Sequence, residues 1–227
     1  MQLAHDAKRE RMSPTTRVFA PRNLGLSRRE RAILERCNTA RALQVYIDSI
    51  PINAERNGDT CYTVREVLRH RCAHCIEAAL VAACALWLHG EAPLLLDLRA
   101  RRDFDHVVAL FRRNGLWGAI SKSNHLQLRG RDPVYRNLRE LAMSYFHEYH
   151  NALGERSLRE YSRAFDLRRL NPKLWVSGPD GAWEVERQLD STRHYRLFPA
   201  AQDRLLSPID AVERRSKRIL EYPGVAH

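Results

Sequence analysis

The most constraining feature of this 227-residue sequence is one long stretch of almost wholly apolar, helix-forming residues. Residues 75–90 read Cys-Ile-Glu-Ala-Ala-Leu-Val-Ala-Ala-Cys-Ala-Leu-Trp-Leu-His-Gly, with a glycine placed to cap the helix C-terminus. A helix that is apolar nearly all round has to be covered by protein on every side. Its unbroken apolar run, Ala78–Leu88, has 11 residues, whereas a membrane-spanning helix needs about 20. We therefore expect a central buried helix in a globular domain, and no membrane partner.

Composition agrees with a folded domain. Hydrophobic residues make up 44% of the chain and include four Trp, eight Tyr and six Phe, which argues against intrinsic disorder. The first residues are charged and lead into no apolar segment, so we expect a cytoplasmic location rather than secretion. Five cysteines, an odd number, indicate reduced thiols rather than a disulfide framework.

Local signals predict helices before the central one. Ser27 and Glu30 form a capping-box pattern, and the apolar residues that follow predict one helix over residues 27–50. Residues 51–60 contain Asn-Gly-Asp and predict a loop. Thr63, with a glutamate three residues later, predicts the start of a short helix.

Short β-type stretches follow the buried helix. They are residues 94–98, 106–111 and 116–121, and the Asn-Gly pair at 114–115 favours a tight hairpin between the last two. Residues 137–150 then have a helical period. This order of helix, antiparallel strands and further helices predicts an α+β class rather than a parallel doubly wound sheet.

The sequence divides into three predicted parts. Residues 1–26 are basic and have no apolar period, which predicts an irregular N-terminal arm. Residues 27–155 form the predicted core. Residues 156–227 are expected to be a mostly helical C-terminal extension packed on that core, with helices over residues 158–170 and 208–220.

Three polar residues occupy positions suited to nucleophilic chemistry. Cys75 opens the predicted buried helix, where free backbone N–H groups and the positive end of the helix dipole stabilise a thiolate. His106 opens a predicted strand, from which its imidazole can serve as the base of a Cys-His pair. Ser121 ends the next strand, where a polar side chain can orient that imidazole across the hairpin. The spacing therefore allows a catalytic triad.

Part of the sequence resembles the transglutaminase-like branch of the papain-like fold, namely residues 61–81, 103–111 and 115–121. Members of that family carry a short helix, a Cys that opens the central helix, a His that opens one strand and an Asp that ends the next. The resemblance covers about residues 60–130 of the chain. It implies a papain-like core in which the central buried helix packs on a small antiparallel sheet, with additional helices around it.

Two positions depart from the family's pattern. His74 stands where members usually have a small residue, and it either crowds the substrate or adds a polar group. Ser121 stands where the family's Asp would fall, and a serine cannot stabilise an imidazolium as a carboxylate does. Asn124 is a second candidate for orienting the histidine, because papain-like proteases use Asn in that role. Asp103 and Asp105 are further carboxylates near the predicted His strand.

The resemblance implies acyl transfer through a thioester. Cys75 would attack a carboxamide or peptide carbonyl, and His106 would take up and deliver the proton. Water as acceptor gives a cysteine protease or amidase, and an amine gives a transglutaminase-type acyltransferase. A peptide, protein or small amide would be the substrate, and no cofactor is implied. The alternative is a catalytically inactive module of the same fold that binds a peptide or nucleic acid, which His74 and Ser121 favour.

The basic charge of the chain is concentrated near its N-terminus. The chain has 38 Lys and Arg against 27 Asp and Glu, a net charge of +11, and residues 1–41 carry six of those net charges. A basic arm can bind phosphate backbones. However, the sequence contains no zinc-finger, basic-zipper or RNP-like pattern, so nucleic acid is not the favoured partner.

A cluster of His and Cys residues raises the question of a metal. The cluster consists of His70, Cys72, His74 and Cys75, and Cys72 and Cys75 form a Cys-x-x-Cys pair. Cys61 lies upstream. A structural zinc site needs a second ligand pair at suitable spacing, which the sequence lacks, so no metal is expected. A redox role for the Cys-x-x-Cys pair would require a preceding strand in a βαβ unit, which is not predicted either.

Overall fold

A computed structural model describes residues 18–56 and 58–225 of the chain. The helices are α1 (Arg28–Arg36), α2 (Ala40–Ser49), α3 (Val64–His70), α4 (Cys75–Leu88), α5 (Leu138–Phe146), α6 (Trp183–Ser191) and α7 (Ala211–Ser216). The strands are β1 (Leu94–Ala100), β2 (His106–Arg113), β3 (Leu116–Ile120), β4 (Arg131–Tyr135), β5 (Leu158–Ser162), β6 (Phe165–Asp166) and β7 (His194–Arg196). This confirms the predicted α+β class.

Helix α4 is the buried centre of the molecule, as the sequence predicts. Every residue from Ile76 to Trp87 is buried. The helix packs against β1 and β2 of the sheet and against α1, α2 and α3. Its apolar surface is therefore covered by both sheet and helices, which satisfies the requirement that its composition imposes.

The sheet is antiparallel and has the order β4-β3-β2-β1-β5-β7, with β6 also paired to β1. Strands β2 and β3 form the predicted hairpin, and Asn114 and Gly115 at its turn both have positive φ, 50° and 84°. Side chains alternate between the two faces. Leu95 and Ala109 join the cluster around α4, whereas Leu96 joins a second cluster around α5. The sheet thus lies between two helical layers.

Two helices form where the sequence predicts a single helix over residues 27–50. Helix α1 ends at Arg36, and α2 begins after Thr39, whose hydroxyl accepts a hydrogen bond from the Ala42 N–H at 3.0 Å. Asn38 and Thr39 are residues whose side chains compete with helical backbone hydrogen bonds, so they favour a break and a new helix start.

The prediction of a helix over residues 158–170 is wrong. This segment forms β5 and β6, which pair with β1 on the edge that β2 leaves free. Backbone pairing along that edge outweighs the helical spacing of the apolar residues. The extension predicted as mostly helical therefore also supplies strands, and the sheet crosses the boundary expected at residue 155. Of the helix expected over 208–220, only α7 (Ala211–Ser216) forms.

Strand β4 is absent from the sequence predictions because Pro133 interrupts its pattern. It lies at the end of the strand order, next to β3, and an edge strand tolerates proline because one side of it has no ladder partner.

The predicted N-terminal arm falls mostly outside the described residues, which begin at Val18. Its described part lies on the core: the Val18 N–H donates to the Gly90 carbonyl at 2.8 Å, and Leu24 is buried. Within residues 18–56 and 58–225, no helix combines the length and apolar character needed to cross a membrane.

The burial of α4 gives a first testable expectation. Leu80 is fully buried in the cluster around this helix, so Leu80→Ala should lower the free energy of unfolding by about 2–5 kcal/mol through lost contacts and a residual cavity. Urea titration followed by circular dichroism measures this. Val45→Ala, at an exposed position of α2, is the control and should change stability by less than about 0.5 kcal/mol. Equal effects of the two changes would contradict the central position of α4.

Candidate active site

Cys75 is the first residue of α4 and lies, partly exposed, on the floor of a cleft of about 610 Å³. Two backbone hydrogen bonds hold the chain just before it: the Ala73 N–H donates to the Pro51 carbonyl at 3.0 Å, and the Asn53 N–H donates to the Ala73 carbonyl at 3.1 Å. The thiol therefore occupies a helix N-terminus fixed by its flanking segment, where the helix dipole favours a negative charge.

His106, at the start of β2, is oriented by two acceptors on its Nε2 side. Ser121 Oγ lies 2.7 Å from Nε2, and the Leu128 carbonyl, in a short 3₁₀ turn, lies 3.1 Å from it. The Ser121 hydroxyl donates its single hydrogen to the Leu128 carbonyl at 2.8 Å, so its oxygen accepts from Nε2–H. Neutral His106 consequently carries its proton on Nε2 and keeps the Nδ1 lone pair available as a base.

The Cys75 thiol is hydrogen-bonded to two histidines, His106 and His74. Burial by itself raises the pKa of a thiol, but the hydrogen bonds and charges of these two rings outweigh it and hold the Cys75 pKa well below its ordinary value. The other buried thiols behave in the opposite way, since burial raises the pKa of Cys84 to about 12. Cys75 is thus distinguished from the structural cysteines by its partners.

His74 is held as an imidazolium. Its Nε2 lies 3.0 Å from the Thr60 carbonyl and 3.3 Å from Glu77 Oε1, both acceptors, and the ring also hydrogen-bonds Cys75. Burial lowers the pKa of His74, but the hydrogen bonds to Cys75 and Glu77 more than offset that effect and raise the pKa well above its ordinary value. A ring whose partners are all acceptors is satisfied only when both nitrogens carry hydrogen.

Glu77 is a fully buried carboxylate one turn into the helix. It accepts from the Tyr62 backbone N–H and the Thr60 hydroxyl, both at 2.8 Å, and from the backbone N–H of His74 at 2.9 Å. The Asn53 amide is 3.1 Å from Oε2. Burial would raise its pKa, yet the His74 charge and these hydrogen bonds lower it to about 2. A carboxylate with this many donors stays ionised in the interior.

Sequence reasoning missed the role of Glu77. The signal was present, because Glu77 is the one charged residue in the otherwise apolar run of α4 and stands three residues after the helix N-cap. Of the two roles that the sequence allows for His74, its contacts with Cys75 and Glu77 fit the additional polar group.

Asn124, the second residue expected to orient His106, lies against the C-terminal segment instead. Its side-chain amide donates to the carbonyls of Tyr222 at 3.2 Å and Val225 at 3.3 Å, and its oxygen accepts from the Tyr222 N–H at 2.8 Å. Of the residues expected to complete the triad, only Ser121 hydrogen-bonds His106. The sequence places Asn124 near the histidine, but the later part of the chain takes up its hydrogen bonds.

The two aspartates flanking the start of β2 also have other partners. Asp103 accepts from the Ser157 hydroxyl at 2.6 Å, and Asp105 accepts from the Ala100 N–H at 2.7 Å. Both line the cleft together with Cys75 and His106. They therefore contribute negative charge to its wall rather than a hydrogen bond to the catalytic-type histidine.

The His and Cys cluster around residues 70–75 does not form a metal site. In the part of the chain that the structure describes, no group of three or more His, Cys, Asp or Glu side chains is arranged to hold an ion. His70 stacks on Tyr62 instead, with ring centroids 4.8 Å apart. All five cysteines are free thiols.

A scan against models of protein families finds no match for the chain, and a search among curated protein sequences finds no significant similarity.

The buried carboxylate gives a pH-dependent expectation. Because folding lowers the pKa of Glu77 from 4.5 to about 2, its stabilising effect is complete above pH 4.5 and is lost as the pH falls from there toward 2. Glu77→Gln should therefore reduce the free energy of unfolding by about 3 kcal/mol at neutral pH. This deficit should shrink in acid.

Urea unfolding at a series of pH values measures both effects. Glu66→Gln is a matched control, because Glu66 occupies the same third position in the capping box of α3 but is not fully buried. A Glu77→Gln deficit that does not change between neutral and acidic pH would contradict an ionised, buried Glu77.

Proposed function

We propose that this protein is a thiol-dependent enzyme of the transglutaminase-like kind, which transfers or hydrolyses an acyl group through a thioester on Cys75. The observation that carries the proposal is the pairing of a low-pKa thiol at a helix N-terminus with a histidine whose free Nδ1 is set by Ser121. A buried central helix on an antiparallel sheet, with Cys opening the helix and His opening a strand, supports a papain-like arrangement.

The chemistry follows from these positions. His106 Nδ1 takes the proton of the Cys75 thiol, and the resulting thiolate attacks the carbonyl carbon of a carboxamide, forming a C–S bond while the carbonyl π electrons move onto oxygen. As the C–N bond breaks, protonated His106 delivers its Nδ1 proton to the leaving amine, and a thioester remains. Water or a second amine then attacks the thioester, gives its proton to His106 Nδ1, and releases the Cys75 thiolate.

His74 supplies the positive charge in this arrangement. In the resembling family a carboxylate stands behind the catalytic histidine, whereas here the neutral Ser121 stands behind His106 and the carboxylate of Glu77 stands behind His74. The imidazolium of His74 stabilises the thiolate before attack, and with the helix N-terminus it offers positive charge to the oxyanion that forms next to Cys75. His106 takes up and returns the transferred proton through Nδ1.

A binding module of the same fold is the second candidate, and Ser121 favours it because a hydroxyl stabilises a protonated His106 less than a carboxylate does. The two functions differ in what Cys75→Ala does. An enzyme loses turnover with its fold intact, whereas a binding module keeps its ligand affinity.

The proposal is tested first on the thiol itself. We expect the alkylation rate of Cys75 by iodoacetamide to reach half its maximum well below the ordinary thiol pKa of about 8.5. His106→Ala and His74→Ala should each move this midpoint upward, because each removes a hydrogen bond to the thiolate. Mass spectrometry assigns the modified cysteine at each pH.

His147→Ala serves as the control, since His147 is exposed and lies outside the cleft. It should leave the profile unchanged. A Cys75 that titrates like a free thiol and ignores both His106 and His74 would falsify the enzyme proposal and leave the binding module.

The role of Ser121 as a positioning residue is tested separately. Ser121→Ala removes the acceptor nearest Nε2 and leaves only the Leu128 carbonyl, so neutral His106 is held less firmly as the Nε2–H tautomer. We expect acylation by an activated amide or ester to slow by about tenfold or more, with a shifted pH profile. Ser49→Ala, at an exposed serine of α2 outside the cleft lining, should leave both the rate and the profile near those of the wild type. Identical behaviour of the two variants would argue against a positioning role for Ser121.

A further inference from the structure

The charge of the cleft is opposite to that of the chain. The whole chain has a net charge of +11. Among the described residues that line the cleft, eight are Asp or Glu, two are Lys and none is Arg, and the His74 imidazolium adds one further positive charge. Such a cleft attracts cations and repels anions, because its low-dielectric walls focus the field of the lining charges. A basic protein that keeps its arginines out of one cleft has a charge distribution suited to a positively charged ligand there.

Asp97 of β1 is the strongest single indication. Asp97 is 3% exposed and lines the cleft. Oδ2 lies 2.9 Å from His194 Nε2, but Oδ1, although buried, makes no hydrogen bond within the described residues. A buried carboxylate oxygen without a donor is costly and requires an explanation. A hydrogen-bond donor on a ligand in the cleft would give Asp97 Oδ1 its partner.

Two further carboxylates strengthen the negative charge around Asp97. Burial, together with the charges of Asp97 and Asp190, raises the pKa of Asp105 to about 6 against the opposing effects of the Ala100 N–H and Arg99. Arg99 offsets part of this repulsion, at 3.4 Å from Asp190 and 3.8 Å from Asp105. The three aspartates are therefore close enough to repel one another, and a cation between them would relieve that repulsion.

The form of the cleft favours an organic cation over a metal ion. In the described part of the chain these carboxylates are not grouped in the geometry that a metal requires. Two aromatic side chains line the same cleft and remain accessible, Phe104 at 70% and Trp183 at 40% exposure. Aromatic faces attract ammonium and guanidinium groups and pack against the carbon chain that carries them.

We propose that the cleft above Cys75 has a subsite, formed by Asp97, Asp105 and Asp190, that binds an ammonium or guanidinium group of the substrate. The inference rests on the proposed function, because it assigns the subsite to the substrate of Cys75. The cation belongs either to a Lys or Arg side chain of a polypeptide that bears the reacting amide, or to a free amine that accepts the acyl group.

Protection of Cys75 against alkylation tests the subsite without any need for turnover. The probes are acetyl-Gly-Lys-Gly-amide, its neutral norleucine analogue and the free diamine cadaverine, with neutral iodoacetamide as the reagent. We expect at least one cationic probe to slow alkylation of Cys75 by about fivefold or more relative to the norleucine peptide at equal concentration. Protection by cadaverine assigns the cation to a free amine, and protection by the lysine peptide alone assigns it to a polypeptide side chain.

Three variants assign the protection to the subsite. Asp97→Asn, Asp105→Asn and Asp190→Asn should each weaken protection by roughly two- to fivefold. Asp190 has a largely exposed side chain, so Asp190→Asn gives a result even if Asp97→Asn does not fold. Glu184→Gln, on the same helix as Asp190 but outside the cleft lining, is the control and should protect like the wild type.

The outcomes separate this proposal from the proposed function. Equal protection by the lysine and norleucine peptides, or full protection in the Asp190→Asn and Asp105→Asn variants, overturns the subsite. Neither result bears on the pH profile of Cys75 alkylation. Conversely, an ordinary thiol titration overturns the enzyme proposal, whereas the protection assay still reports on the cation because it needs only an accessible Cys75.

Discussion

Helix α4 is apolar on every side, and the need to bury it determines where the other elements lie. The sheet covers it through β1 and β2, and α1, α2 and α3 complete the enclosure. The first residues of the helix, Cys75 and Ile76, line the cleft, so this end of the helix is available for chemistry. Because β2 packs on the same helix, its first residue, His106, is brought to the thiol of Cys75. The burial of α4 therefore determines both the arrangement of the other elements and the position of the site.

In the proposed mechanism, the site separates two tasks that one histidine performs in many thiol enzymes. His74, paired with the buried carboxylate of Glu77, is held as an imidazolium beside Cys75. His106, held by the neutral Ser121, keeps a free Nδ1 for proton transfer. Glu77 supports the charged ring of His74, and Ser121 fixes which nitrogen of His106 faces the thiol. Stabilisation of the thiolate and transfer of the proton are assigned to different rings.

Much of this arrangement could be predicted from sequence, because local patterns encode it. The composition of α4, the Asn-Gly turn between β2 and β3, and the spacing of Cys75, His106 and Ser121 are all visible without coordinates. The position of β5 was not predictable in this way, since its pairing with β1 joins residues about 60 positions apart. The environment of Glu77 and the acidic cleft likewise depend on segments that meet only in the folded chain. Asn124 shows the same limit, because its partners lie nearly a hundred residues later.

The place of β5 beside β1 also limits how the chain can be divided. Strand β1 lies within the sheet, between β2 and a partner contributed by residues beyond 155. A fragment that stopped at residue 155 would keep the pairing of β1 with β2 but leave the other edge of β1 open, next to the apolar side chains of Leu96 and Leu98. Open apolar strand edges recruit other strands, so such a fragment would be prone to aggregate rather than to behave as a smaller domain. The segment that follows the catalytic-type residues therefore acts as the solubilising cover of the sheet that carries them.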